Sequence, residues 1–404
     1  ESFKAVGLYY NTSTVATPPA TTAELLAAVK AGKKLVLNQN AYHSFGFYQA
    51  FGGKVLDGNK CGLTTGGTEA VAYLQELKAA GATFVTDGGQ GDSLFKEGKA
   101  DMIINGPWAL GDYRAALSDK LAVAAMPAGP AGPAGPLTGV DGFYLNINSA
   151  NPDGALALAL FLTNTESQQI YTDQAGHTPT STLVKITDPT TQGFADAAKT
   201  GVARPQDKAF SNYWGPFGDV FTKAIEGGDD AKTTIAEACA AMDTANADVP
   251  ESTEPTAAPG GGTSTGPEVT GEVTLWHAYG TGSAEEATMV TLIANAQAAN
   301  PNATINVLQV PFSDIFNKFQ NEVAAGGGPD LFVAPNDSLG DQVRASLLLD
   351  ITDKVADLPN LGAGALEGMT VDGKIYGVPE SFKAVGLYYN TSTVATPPAT
   401  TAEL

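Results

Sequence analysis

The sequence predicts an α/β protein of one or two domains, and three observations carry that reading. From residue 271 onward, apolar runs and amphipathic stretches alternate as strand, helix, strand, helix, strand. That order builds an open, largely parallel sheet, because parallel neighbours need a crossover between them. Nearer the start, KAVGLYYN and KLVLNQN are apolar enough to be strands buried on both faces. Finally, the chain has 404 residues, of which one 25-residue stretch is a repeat. The remainder is enough for two ordinary domains or one large bilobed one.

The repeat is ESFKAVGLYYNTSTVATPPATTAEL, which runs from Glu1 to Leu25 and again, unchanged, from Glu380 to Leu404. After the first copy's strand, TTAELLAAVKAG reads as a helix with a threonine cap and a glycine stop. ADMIINGPWA carries a buried strand into a Gly-Pro turn, and LAVAAMP is another short strand. PAGPAGPAGP, from Pro127 to Pro136, has too few triplets for a collagen helix and reads as a stiff surface loop. Helices dominate from Pro152 onward. Between Asp248 and Glu272 the composition turns to Pro, Gly, Ser, Thr and Glu, which marks a tether. As a flexible coil it reaches roughly 25–30 Å. Next come strand EVTLWHAYG, helix SAEEATMVTLIANAQAAN with Met289, Leu292, Ile293 and Ala296 on one face, and strand ATINVLQVPF. Helix SDIFNKFQNEVAAGGG and strand PDLFVAPND complete the series.

A formal charge of −21, from 43 acidic and 22 basic side chains, argues against nucleic acid or an anionic membrane as partner. The expected ligand is neutral or cationic. No stretch approaches the roughly 20 apolar residues of a membrane span, and no signal segment opens the chain, so a soluble, already trimmed protein is expected. Cys61 and Cys239 lack metal or redox spacing and read as two separate small core residues, with a single disulfide as the alternative. The usual catalytic and nucleotide-binding motifs are missing; GTGSAEE at Gly280 lacks a lysine and ends in two glutamates, unsuited to phosphate. His43, His177 and His277 are scattered and read as structural. No metal or cofactor is expected. What stands out is aromatic residues at turns: Tyr42, Trp108, Tyr213, Trp214 and Tyr279. Strand-to-helix junctions are where open α/β sheets bind ligands, so these rings suggest platforms for a sugar.

Four segments, GKADMIINGPWAL, GGGPDLFVAPNDSLGD, DGKIYGVPESFKAVGLYYN and INSANPDGALALALFL, are similar to characteristic segments of the maltose-binding protein family, solute-binding components of ATP-binding-cassette carbohydrate importers. The likeness spans nearly the whole chain once its order is rotated, so the natural termini look joined by the tether and new ends opened inside VPESFK, as in a circular permutant. The resemblance implies a periplasmic-binding-protein-like fold, two α/β lobes joined by three hinge crossovers, with sugar in the cleft and lobe closure on binding. Mapped here, one lobe takes 4–142 and 186–247 and the other 271–380 and 143–185, with 248–271 as linker and 380–404 as the second copy. It implies an extracellular or periplasmic location, a natural parent with a lipid anchor absent from this chain, and an importer permease as partner.

The resemblance also nominates residues. Trp108 and Trp214 match stacking tryptophans, Tyr42 a stacking and hydrogen-bonding tyrosine, and Asp337 a carboxylate for sugar hydroxyls. Asn40 falls where the maltose protein has a glutamate, and Lys4 or Lys383 where it has another. Tyr279 and Glu285 complete the expected sugar-binding set. Ala334, Ser338 and Gly218 replace a tryptophan and two arginines, departures that separate the expected ligand from maltose itself while keeping a glycoside. The expected function is therefore non-catalytic saccharide binding; the alternative is a hydrolase using Asp337 and Glu285, which needs two carboxylates about 5–9 Å apart. The first copy of the repeat, continuous with its helix, is expected to fill the strand position. The second is then expected to be disordered, docked elsewhere or inserted into another molecule as a domain swap, so the protein is a monomer or a swapped oligomer. The duplication itself reads as an engineered switch or sensor scaffold, or as a window on a tandem or cyclic chain.

Overall fold

The computed structural model describes residues 6–197, 200–206, 208–249, 268–362 and 364–383. They fall into two compact units. One, the Trp108 unit, takes Phe3–Thr138 and Pro189–Thr253; the other, the Trp276 unit, takes Gly139–Asp188 and Glu254–Lys383.

The Trp108 unit is built on a five-stranded sheet in the order Thr83–Val85, Leu35–Asn38, Met102–Asn105, Gly7–Asn11, Leu121–Ala124. Every residue of the last four strands is buried, as expected for strands covered on both faces. Leu35–Asn38 runs parallel to both neighbours, whereas Gly7–Asn11 is antiparallel to both of its own, with Tyr9 opposite Ile103 and Val123. This strand comes from the first copy of the repeat, as the sequence leads one to expect. The helix that follows, Thr22–Lys30, starts in a capping box: Glu24 N–H donates to the Thr21 hydroxyl, and the Glu24 carboxylate accepts from Thr21 N–H. Leu25 and Val29 anchor it to the core, and Gly32, at φ +95°, turns the chain away.

In the Trp276 unit the strands run Ala303–Gln309, Gly271–His277, Leu331–Pro335, Leu137–Leu145, Gly377–Lys383, Thr178–Pro179. The first three are parallel and linked by helices Ala284–Ala299 and Phe312–Ala324, the expected βαβαβ unit. Leu137–Leu145 then lies antiparallel to both Leu331–Pro335 and Gly377–Lys383. The expected largely parallel sheet is thus mixed in both units, because the added strands arrive from distant parts of the chain rather than by a crossover helix.

Three local readings change. The two cysteines are not separate core residues: Cys61 and Cys239 form a disulfide, with Cα atoms 5.2 Å apart, tying the short strand Lys60–Cys61 to helix Ala231–Asn246. The proline-glycine tract is only partly a surface loop. Pro130 and Ala131 turn outward, but Pro127, Ala134, Gly135 and Pro136 are buried, and a Cβ on Gly129 would meet the Ala50 carbonyl at 2.2 Å. Most of the tether lies outside the described residues, yet Val269 at its end is buried and donates its N–H to Asn300 Oδ1 at 2.9 Å.

Candidate functional site

In the Trp108 unit the strand Met102–Asn105 ends at Gly106, and a short 3-10 turn, Pro107–Ala109, lifts Trp108 to the surface. The turn is held from two sides. Asn105 Oδ1 accepts from Gly106 N–H at 2.9 Å, and the Tyr9 hydroxyl donates to the Gly106 carbonyl at 2.7 Å. Glycine is required there by contact rather than by φ: a Cβ would lie 2.0 Å from the Trp108 ring, so the indole rests directly on the Gly106 backbone.

The neighbouring loop follows strand Leu35–Asn38. Asn40 Oδ1 accepts from the backbone N–H of Tyr42, at 3.1 Å, and of His43, at 2.9 Å, an Asx turn that fixes both side chains. The Tyr42 ring is 6.1 Å from that of Trp108, tilted by 47°, and the His43 ring is 5.9 Å away and edge-on. Trp214 enters from helix Trp214–Val220. Its predecessor Tyr213 is buried, stacked between Phe210 and Phe217, and donates its hydroxyl to the Ala41 carbonyl at 2.9 Å. Arg204 joins the rings: its guanidinium carbon is 4.6 Å from the Trp214 ring and 5.5 Å from that of Tyr42. Such a cation over aromatic faces contributes about 0.5–2 kcal/mol and locks the geometry.

Tyr42, Trp108 and Trp214 are each half-buried, beside fixed polar groups. Below them, Asn105 Nδ2 donates to Asp92 Oδ1 and to the Tyr113 hydroxyl, both at 2.8 Å. Burial holds the Asp92 carboxyl above its ordinary range against the opposing hydrogen bond from Tyr113. Burial likewise pulls His43 down to about 4, partly offset by its contact with Asn105, so the ring is neutral at physiological pH.

Of the expected sugar-binding residues, then, the structure gathers Tyr42, Trp108, Trp214 and Asn40, with Asn40 organising the loop. His43 and Arg204 belong to the same cluster and carried no sequence signal, the first a scattered histidine, the second one arginine in an irregular stretch. The remaining nominees lie elsewhere. Tyr279 and Glu285 are buried in the Trp276 unit. The Glu285 carboxylate is engaged by His177 Nε2 at 2.7 Å, while His177 Nδ1 meets Glu380 at 3.0 Å. The imidazole, stacked on Tyr171 at 4.8 Å, is held between these two carboxylates. Tyr279 packs among the rings of Tyr171, His177 and His277. Asp337 is half-buried in the turn Asn336–Ser338 of that unit. Lys383 closes the strand Gly377–Lys383, and Lys4 lies outside the described residues. Glu285, committed to His177, is not the open carboxylate that the hydrolase alternative needs.

Two α/β units of this kind make a periplasmic-binding-protein-like fold. Residues 4–198 and 291–404 match the family described as bacterial extracellular solute-binding protein, more than half of the chain, and the protein belongs to that family. The family is one of binding proteins, not of enzymes. A maltotriose-binding protein of Pyrococcus abyssi is 30% identical over 136 residues, 33% of this chain and 29% of that protein. A maltodextrin-binding protein of Bacillus subtilis is 29% identical over 103 residues, 26% of this chain and 24% of that protein. The chain thus spans less than a third of the length of these curated relatives. Among solved structures, the maltotriose-binding protein of Thermus thermophilus, bound with maltotriose, is similar with 26% identity and a TM-score of 0.51, over 60% of this chain and 71% of that one. The GacH receptor of Streptomyces glaucescens, at 21% identity and a TM-score of 0.55 over 62% and 71%, supports the fold alone. Among the described residues no helix is long and apolar enough to cross a membrane.

Proposed function

We propose that this protein binds a neutral saccharide of the maltodextrin kind without transforming it, and delivers it to a membrane importer. The observation that carries the reading is the gathering of half-buried Tyr42, Trp108 and Trp214, Tyr42 lying beside Trp108 and sharing Arg204 with Trp214. Pyranose C–H faces are apolar and suit indole faces, while the hydroxyl rim needs partners, since an unpaired buried polar group costs about 1–3 kcal/mol. Asn40, His43 and Arg204 supply polar chemistry beside the rings. The relatives named for maltotriose and maltodextrin support the same ligand class. Asp337 and Lys383 remain proposed contributors from the Trp276 unit, and sugar-driven closure is part of the proposal. So is the rotated order with its duplicated segment: residues 4–25 of the first copy and all of the second fall within the residues matched to the family, as one segment serving a single family position would.

Titration calorimetry with maltotriose, maltose, trehalose and cellobiose tests the reading. Saturable binding of at least one sugar is expected, and Trp108→Ala should weaken it by about 30-fold or more, the roughly 2 kcal/mol of a buried tryptophan anchor. A folded protein that takes up none of the four sinks the proposal.

A further inference from the structure

We infer that His43 is a specificity residue of the proposed saccharide site, whose Nε2 accepts a hydrogen bond from a ligand hydroxyl. The inference rests on the saccharide reading and follows from counting hydrogens. Asn40 Oδ1 already accepts from two backbone N–H groups, so its amide orientation is fixed, and this oxygen lies 2.8 Å from His43 Nδ1. An amide oxygen only accepts, so Nδ1 carries the proton. In the neutral ring Nε2 therefore presents a lone pair.

The group facing that lone pair is the wrong one. Nε2 is 3.4 Å from Asn105 Oδ1, and Asn105 cannot turn its amide over, because Oδ1 accepts from Gly106 N–H while Nδ2 donates to Asp92 and Tyr113. Acceptor faces acceptor. A protonated ring would resolve the conflict by donating to Asn105, but burial opposes that charge. The nearest charged groups do not change this: Asp92 is spent on Asn105 and Tyr113, and Arg204 lies over Tyr42 and Trp214. A neutral hydroxyl suits that lone pair, for it donates to Nε2 while its own oxygen stays available to other donors. The ring is half-buried and edge-on to Trp108, so a hydroxyl on the rim of a sugar lying against that indole is what the geometry suits.

The test compares maltotriose binding by calorimetry at pH 7 in the wild type, His43→Phe and His43→Gln, each checked for folding by thermal melting. Phenylalanine keeps the ring and removes the acceptor; glutamine restores an acceptor at nearly the same reach. The expected result is about tenfold weaker binding for His43→Phe, the worth of one good hydrogen bond, and recovery to within about threefold for His43→Gln. Should His43→Phe fail to fold, His43→Leu replaces it. Equal affinity in the wild type and the acceptor-free variant overturns the inference while leaving the saccharide reading intact; so does a glutamine variant as weak as the phenylalanine one. A wild type that binds no maltotriose but binds another of the four sugars moves the comparison to that sugar, with the same outcomes required. Binding of none overturns both.

Discussion

The two copies of the repeated segment are chemically identical, and the described residues include a different part of each. From the first copy, Gly7–Asn11 forms a fully buried strand of the Trp108 unit, with Thr22–Lys30 as the helix after it. From the second, Glu380–Lys383 completes the strand Gly377–Lys383 of the Trp276 unit, where Glu380 is 0% exposed and bonded to His177. What differs is the flanking chain. Gly377, Val378 and Pro379 hold the head of the second copy in register with Leu137–Leu145. Conversely, Leu25 of the first copy continues into the rest of its helix, which buries Val29. A segment's structure is thus decided by the packing of its neighbours as much as by its own letters, because a strand or a helix turn is stable only when its apolar face is covered.

This division of labour can be broken one residue pair at a time. The largest effect is expected at Tyr9 and its counterpart Tyr388. Tyr9 is fully buried, edge-on to Tyr113 at 4.7 Å, and supports the turn under Trp108 through Gly106. Tyr9→Ala should cost about 3–5 kcal/mol of unfolding free energy in urea. Tyr388→Ala should cost nothing measurable, and the double variant should match Tyr9→Ala. A double variant much less stable than Tyr9→Ala would show that the second copy moves into the vacated position. Next in size, Glu380→Ala removes one of the two carboxylates that hold the buried His177 ring and should cost about 2 kcal/mol, against none for Glu1→Ala. Equal melting curves for these two would mean that the heads of the copies are interchangeable.

Much of this architecture was legible before any coordinates, and the failures have a common cause. Strands such as Leu35–Asn38 and Met102–Asn105 announce themselves by local apolar runs, and Tyr42 and Trp108 by lying at strand-to-helix turns, whereas Trp214 opens a helix that follows another helix, Lys208–Ser211. Local pattern suffices there because the chain itself places the residue. It fails where the partner is remote. Cys61 and Cys239 meet across 178 residues, a separation that carries no spacing signal. Glu285 looks like a ligand carboxylate because it opens a helix after a strand, but its partner His177 lies 108 positions away. Arg204 and His43 acquire their roles only when the Trp214 helix and the Asn105 strand end are folded beside them. The antiparallel strands were missed for the same reason, since periodicity reports burial and says nothing of direction.

The smallest of the paired effects is also the most local. Thr21 caps helix Thr22–Lys30, and its counterpart in the second copy is Thr400. An N-cap threonine is worth about 1 kcal/mol, because without it a terminal N–H loses its protein partner. Thr21→Ala should therefore lower stability by about that amount, with Glu24→Ala, which removes the reciprocal half of the capping box, having a similar or smaller effect. Thr400→Ala should leave the urea midpoint unchanged. Since alanine at the cap removes no core volume, the measurement isolates which copy carries a working helix start. A cost shared equally between Thr21 and Thr400 would mean that both copies spend time in the same position, and the division between head and body would have to be replaced by an exchange.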